Sequence, residues 1–360
     1  MNIYINARFL TQSVSGVQRY AIEVVKEIDS LIEKNIDNKN SFYLLTPRNI
    51  KSQLNLKNIP IRKVGYLKGH LWEQLELPYY SRNGLLVNLC NVAPLLKNKQ
   101  IITMHDASVF AYPNAYSFSF AIWYKILFVL LGRIAKRILT VSRFSKDELV
   151  RYCKIKKEKI SVIYLGKEHV YNCKVDKQII EKHKLENTPF ILAVSSMNPN
   201  KNFTGIINAI KLLNREDLNI VIAGGINHHI FDIQGEILSD RIKHLGYVSD
   251  GELRALYEAA SCFVFPSFYE GFGLPPIEAM AYGCPVIVSE VASLPEICGD
   301  AALYCDPYNP NDIAEKIRMI IDDETLREAL TQAGKKHVKV FTWEKCAMNI
   351  LQVINSIIEK

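Results

Sequence analysis

Short β-rich apolar runs alternate with segments of helical period along nearly the whole chain, and that alternation leaves room for little besides an α/β fold with mostly parallel sheets. The runs Asn2 to Ile5, Phe42 to Leu45, Ile61 to Val64, Leu85 to Leu89, Ile101 to Thr103, Ile138 to Val141 and Ser161 to Tyr164 predict seven strands in the first half. Phe190 to Val194, Asn219 to Ala223, Lys243 to Gly246, Cys262 to Phe265, Pro285 to Val288 and Ala302 to Tyr304 predict six more. Between the first two runs, Val17, Tyr20, Ala21, Val24, Val25, Ile28, Leu31 and Ile32 recur at helical spacing. With 360 residues, 49% of them hydrophobic and 22% charged, the chain can build two ordinary cores, and disordered, collagen-like or low-complexity readings fall.

The charged stretch Gly166 to Thr188 separates the two series. We expect a Rossmann-like domain over residues 1–170, a linker over 171–188, a second Rossmann-like domain over 189–340, and a last helix over 341–360 that packs back on the first domain. Open parallel sheets bind ligands beyond the carboxyl ends of their strands, so two such halves suggest a cleft between them and place function in the loops that follow strands. Residues 1–180 hold 28 Lys and Arg against 13 Asp and Glu, leaving 16 against 24 for the remainder. The basic half suits an anionic partner, whether a pyrophosphate-bearing substrate, lipid headgroups or nucleic acid, or it is a solvated basic face.

The eight cysteines are scattered without a CxxC pair, which spells neither a zinc ribbon nor a redox centre and suits free thiols in a reducing cytoplasm. The start of the chain lacks the pattern that export requires, so a cytoplasmic location is expected. The one long apolar stretch, Phe118 to Leu131, is interrupted by Lys125 and is shorter than the roughly 20 residues that cross a bilayer. With Arg133, Lys136 and Arg137 beside it, it is either a core helix or a peripheral contact with an anionic membrane.

The chemistry concentrates in Phe265-Pro-Ser-Phe-Tyr-Glu270-Gly-Phe-Gly-Leu-Pro-Pro-Ile-Glu278. Gly271 and Gly273 allow backbone amides to come close to an anion, Pro275 and Pro276 open a helix, and Gly283 can end it. Free amides at a helix N-terminus suit a phosphate or a sugar oxygen. Glu270 and Glu278 bracket that loop; each can grip vicinal hydroxyls, or Glu278 can simply favour the helix dipole from the first turn and Glu270 be a solvated charge. After the strand Phe190 to Val194, Lys201 can set an ammonium on a diphosphate or stand as a surface lysine. His105-Asp106 follows another strand, and Ser13-Val-Ser-Gly16-Val-Gln-Arg19-Tyr fills the first strand-to-helix loop. In VSRFS, the Ser and Arg can face the cleft, or Ser145 can cap a helix starting near Lys146.

The E-x7-E pattern with EGFGL inside it, followed by EAMAYGCPVIVS and SLPEICGDAALYCDP, resembles the retaining glycosyltransferases of family 4, which have the GT-B fold of two Rossmann-like domains. The resemblance is dense from about Phe190 to Pro307 and looser before it. It implies that Glu270 contacts the transferred sugar, that Glu278 holds the ribose, and that the amides of Gly271, Phe272, Gly273 and Leu274 contact sugar and distal phosphate. It also implies a donor role for Lys201, with Ser195 or Ser196 standing where the family often has an Arg. The start resembles O-antigen-type mannosyl- and rhamnosyltransferases, which implies that Gly16 approaches the diphosphate and that Arg19 contacts the acceptor or substitutes for the missing cation, unless it makes a structural ion pair. His105 and Asp106 stand where members of the family place a residue beside the transferred sugar, which implies that they face sugar or acceptor; a lone structural histidine is the other reading of His105.

The expected reaction is hexosyl transfer from a nucleotide-diphosphate sugar to a hydroxyl, with Glu270, His105 and Lys201 as its working groups. No D-x-D triplet occurs, so metal independence is expected and no cofactor is called for. Retention follows from the resemblance alone, with the leaving phosphate taking the acceptor's proton. A GDP-mannose-like donor and a polyprenyl-diphosphate-linked oligosaccharide acceptor, as in O-antigen or capsule assembly, are what the N-terminal resemblance implies; nucleic acid is not an expected partner. A GT-B epimerase and a non-catalytic sugar- or membrane-binding subunit are the alternatives. A dinucleotide enzyme is disfavoured because no GxGxxG follows the first strand.

Overall fold

The structure, a computed structural model, describes residues 1–36, 39–194, 198–225 and 241–359. It divides into two compact units, Met1–Gly166 with Phe341–Lys360, and Lys167–Val340. Residues 171–188 belong to the second unit, with a short helix at Gln178–Lys182.

In the first unit, strands β1 (Asn2–Asn6), β2 (Ser41–Thr46), β3 (Ile61–Lys63), β4 (Leu85–Asn88), β5 (Gln100–Thr103), β6 (Arg137–Thr140) and β7 (Ile160–Val162) form one sheet in the order β3-β2-β1-β4-β5-β6-β7. In the second, β8 (Phe190–Val194), β9 (Asn219–Ala223), β10 (Ile242–Gly246), β11 (Cys262–Phe265), β12 (Val286–Ser289) and β13 (Leu303–Cys305) follow the order β10-β9-β8-β11-β12-β13. Every neighbouring pair is parallel, with Ile3 opposite both Phe42 and Leu85, and Ile191 opposite Ile220 and Cys262. Helices cover both faces of such sheets, so their strands read as apolar runs rather than as alternations. Leu85–Asn88 and Val286–Ser289 are accordingly buried along their whole length. The strand order reverses between β1 and β4 and again between β8 and β11, which opens a crevice at the carboxyl ends of each pair.

Helix Gly16–Glu33 turns Tyr20, Ala21, Val24, Val25, Ile28 and Leu31 inward, the face its periodicity predicts, and a reciprocal Ser15–Gln18 capping box closes its start. Helix Trp343–Ile358, capped by Thr342, packs on it, with the Tyr20 and Trp343 rings 6.3 Å apart. Gly166 lies so close that a Cβ there would meet the Trp343 backbone nitrogen at 2.1 Å, a proximity only glycine permits. Helix Phe118–Ile134 buries Leu127, Phe128 and Leu131 against Ile102 and Met104 and leaves Phe118, Ile122, Trp123 and Ile126 outside.

One local expectation changes. The VSRFS helix begins at Arg143, because the Ser142 hydroxyl accepts the Ser145 amide at 3.0 Å; Ser142 is the cap and Ser145 is buried in the first turn. The helical stretch Gly69–Tyr80, interrupted by one wider turn at Trp72–Glu76, buries only Trp72, Glu73 and Leu77, too few residues for an apolar period to show in the sequence.

Candidate functional site

At the crevice of the second sheet, the loops after β8 and β11 are stitched together by their backbones. The Phe268 amide donates to the Asn200 carbonyl at 2.8 Å, and the Asn200 side chain donates to the Tyr269 carbonyl at 3.1 Å. Asn202, in the left-handed region at φ 57°, donates to the carbonyls of Pro266 and Pro307 at 3.1 and 2.7 Å. Its side-chain oxygen caps helix Phe203–Leu213 by accepting the Gly205 amide. Asn tolerates this conformation better than most residues, and its short amide makes all three bonds at once. Lys201 is thereby held so that Nζ lies 2.6 Å from Oε1 of Glu270 and above the Phe265 ring. Both side chains are largely buried, at 19% and 11% exposure, where a charge needs its partner.

Directly after Glu270 runs the ribbon Gly271–Leu274. Gly273 adopts φ +99°, and a Cβ there would meet Leu294 Cδ2 at 2.6 Å, so both conformation and space demand glycine. The Ser293 hydroxyl donates to the Phe272 carbonyl at 3.1 Å and fixes the ribbon from behind. The helix begins at Leu274 with both prolines in its first turn, where a missing N–H costs nothing. It ends at Ala281 in a Schellman turn, with Cys284 donating to Ala279, Gly283 to Met280, and Gly283 at φ +82°.

Glu278 lies in the second turn of this helix, a correction to the first-turn expectation; the helix dipole falls off within one turn and does not account for its carboxylate. Instead, Oε1 lies 2.8 Å from Nε2 of His169, and Oε2 accepts a 3.4 Å bond from the Tyr257 hydroxyl. Burial, reinforced by the neighbouring Glu278 charge, holds the Tyr257 phenol well above its ordinary pKa, so it remains a donor. Sequence reasoning missed both partners. His169 lies 109 residues from Glu278, and no local pattern marks it. Ser195 lies outside the described residues.

In the first unit, Gly16 occupies the first position of its helix, exposed and with nothing within 4 Å of a would-be Cβ. Arg19, one turn on, is half-buried. His105 is buried: its Nε2 lies 3.0 Å from the Leu89 carbonyl and its ring is perpendicular to that of Tyr20, with centroids 4.8 Å apart. Burial lowers its pKa, so the ring is neutral at neutral pH and donates to that carbonyl. Asp106 accepts the Ser108 amide at 2.8 Å and lines a pocket of about 360 Å³ at the carboxyl ends of β1, β4 and β5. The structure thus joins Lys201 to Glu270 beside the ribbon and turns Asp106 into a cavity, while the ring nitrogen of His105 is engaged with the protein's own backbone.

Comparison with known proteins gives two family matches: "Glycosyl transferases group 1" over residues 175–337 and "Glycosyltransferase Family 4" over residues 84–168. The chain is similar to the O-antigen chain mannosyltransferase B of Escherichia coli, with 31% identity covering 95% of this chain and 96% of that protein. It is similar to the O-antigen chain mannosyltransferase RfbU of Salmonella typhimurium, with 30% identity covering 91% and 92%. Among solved structures it resembles Anabaena HepE in complex with UDP-glucose, at TM-score 0.77 and 16% identity over 99% of this chain and 100% of the other. The sucrose-phosphate synthase of Thermosynechococcus elongatus is equally similar in fold, at TM-score 0.77 and 18% identity over 99% of each chain.

Proposed function

This chain belongs to the family 4 glycosyltransferases of GT-B fold, and from that premise we propose that it is a retaining, metal-independent mannosyltransferase moving mannose from GDP-mannose to a lipid-linked oligosaccharide. Breaking the anomeric C–O bond builds negative charge on the departing diphosphate. A preorganised donor set aimed at that charge lowers the barrier because no dipole has to reorient during the step. The observation that carries the reading is the Lys201–Glu270 contact at the topological switch point of the second sheet, beside a ribbon whose Gly273 leaves no room for a side chain.

In this reading Lys201 and the amides of Gly271 to Leu274 take the phosphates. Glu270 fixes the ammonium and accepts a hydroxyl of the sugar. Glu278 accepts both ribose hydroxyls, its rotamer held by His169 and Tyr257. The acceptor's attacking hydroxyl passes its proton to the leaving phosphate oxygen on the same face, and His105 and Asp106 line the acceptor's approach. Mannose is the sugar named for both bacterial relatives above, whereas the HepE complex holds UDP-glucose, so the base is the open variable. A panel of GDP-, UDP- and dTDP-sugars scored by nucleotide release tests the donor: selective turnover of GDP-mannose supports this reading, and selectivity for another donor refutes it.

Peripheral membrane association at the cytoplasmic face is part of the same proposal. Among the described residues no helix is long and apolar enough to cross a membrane. Helix Phe118–Ile134 nonetheless leaves Phe118 82% exposed, with Trp123 and Ile126 outward and exposed Arg133 and Lys136 at its end, the composition of a helix that lies on an anionic bilayer.

A further inference from the structure

A cavity beside the Lys201 loop belongs to no part of the proposed reaction. It opens where the loops after β8, β11 and β13 meet the start of helix Phe203–Leu213, measures about 390 Å³, and is lined by Thr204, Asn208, Phe268, Pro307 and Tyr308 among others. Neither Lys201 nor Glu270 lines it. Asn202, itself part of the lining, ties the Pro266 and Pro307 carbonyls to the helix start, and the Asp306 carboxylate accepts the Tyr308 amide at 2.9 Å. The cavity is thus braced by the same asparagine that sets Lys201 in place.

Its lining fixes the class of ligand. None of the described residues that line the cavity is charged, so no side chain offsets the cost of taking a phosphate or a carboxylate out of water. The helix start, which could draw an anion, is already capped by the Asn202 side chain on the Gly205 amide. Thr204 and Asn208 stand four positions apart on that helix, hence on one face of it, and among the described residues their side chains make no hydrogen bond. A purely apolar ligand would cover these groups without giving them a partner. Beside them, Phe268 and Tyr308 stack with centroids 4.8 Å apart at 26°. That contact covers one face of Tyr308, and its 67% exposure leaves the other face open. An uncharged lining, an amide with a hydroxyl, and one free aromatic face suit a sugar, whose hydroxyls hydrogen-bond while its C–H face packs on a ring.

We propose that this cavity is a second carbohydrate site, apart from the donor site, that takes a neutral saccharide with one ring on the free face of Tyr308 and its hydroxyls on Asn208 and Thr204. A volume near the low end of the roughly 300–1,000 Å³ of ligand pockets suits a short stretch of glycan rather than an extended peptide. The source of the saccharide rests on the glycosyltransferase reading: the ligand is part of the glycan that the enzyme lengthens, kept on the second unit beside the loop that carries Lys201.

The test follows the side-chain amide resonance of Asn208 in the full chain, assigned by its absence from Asn208→Ala, as α-mannotriose is added. Because the reporter lies in the cavity, a saccharide bound elsewhere does not count. The trisaccharide should shift this resonance saturably at millimolar concentration, with the same midpoint in saturating GDP, and inorganic phosphate should neither shift it nor compete. Tyr308→Ala, on an exposed side chain, should weaken the binding several-fold, the size of one aromatic contact, at an unchanged melting temperature and an unchanged rate of nucleotide release with a short acceptor. No saturable shift in wild type, an undiminished affinity in Tyr308→Ala, displacement by GDP or phosphate, or a shift produced by a proline-rich peptide instead would each overturn the assignment. GDP-induced thermal stabilisation and nucleotide release, measured on the same samples, report the donor site separately, so failure of the saccharide site and failure of the glycosyltransferase reading give different patterns.

Discussion

The two sheets share one strand order as far as the sixth strand, and each opens a crevice at the same topological place, yet the two crevices are chemically opposite. The second is lined by backbone: a ribbon at positive φ, a helix start and one lysine tethered to one glutamate. The first is lined by side chains: Arg8, Asp106 and the rings of Tyr116, Phe120 and Tyr124 among them. Amides and an ammonium suit a polyanion, whereas the first crevice sets one lining arginine against one lining carboxylate, with no surplus of cations. Shared topology thus places both crevices, and the residues just past the strands set their chemistry. The basic surplus of the first 180 residues is not concentrated in the first crevice, whose own charge is neutral or negative.

The largest effect expected from this contrast is in the second crevice. Lys201→Ala should lower kcat by about 100-fold or more, the scale of removing one preorganised donor from a developing anion. Glu270→Ala should fall as far, because it frees the ammonium held at 2.6 Å and, in the proposed reading, removes a sugar contact. Steady-state nucleotide release checks both, and rates near wild type in both would erase the distinction between the crevices.

Next comes a pair of glycines. Gly273→Ala imposes a Cβ 2.6 Å from Leu294 at φ +99°, and should cost about 1–3 kcal/mol of stability together with most donor affinity. Gly16→Ala meets nothing within 4 Å at an ordinary φ, so its melting temperature should not fall. Equal melting temperatures for the two variants would contradict the asymmetry.

His169→Ala, which releases one oxygen of Glu278, should raise donor KM several-fold with kcat less affected, on the scale of about 1 kcal/mol for a hydrogen bond. Among the smaller effects is one of pH. Burial depresses the His105 pKa below its ordinary 6.5, so the unfolded chain takes up that proton more readily. The stability His105 contributes is present above that ordinary value and is lost as pH falls through the folded pKa, and His105→Gln should flatten this limb of the melting curve against pH. Charge reversal at Arg133, Lys136 and Arg137 should reduce sedimentation with anionic vesicles, and unchanged binding would remove this face as a membrane contact.

The fold was legible because parallel strands buried on both sides leave continuous apolar runs; Phe190–Val194, Asn219–Ala223 and Cys262–Phe265 fall where the runs predict. The ribbon was legible because its demands are local: two glycines, two prolines and a cap within one loop. What could not be read is what crosses the sheet. Lys201 meets Glu270 over 69 residues, Asn6 meets Glu73 over 67, and His169 meets Glu278 over 109, pairings set by strand order rather than spacing. Arg8 had one visible signal, an arginine immediately after the first buried strand, but its significance depends on Glu73, an acid in a helical stretch too irregular to show a period.

The most direct measurement is a crystal structure of the enzyme with its turned-over nucleotide sugar. The account predicts the distal phosphate within hydrogen-bonding distance of Lys201 and of the amides of Gly271 to Leu274, with the ribose on Glu278. A nucleotide bound away from that ribbon, or with its phosphates against Arg8 and Asp106, would contradict it.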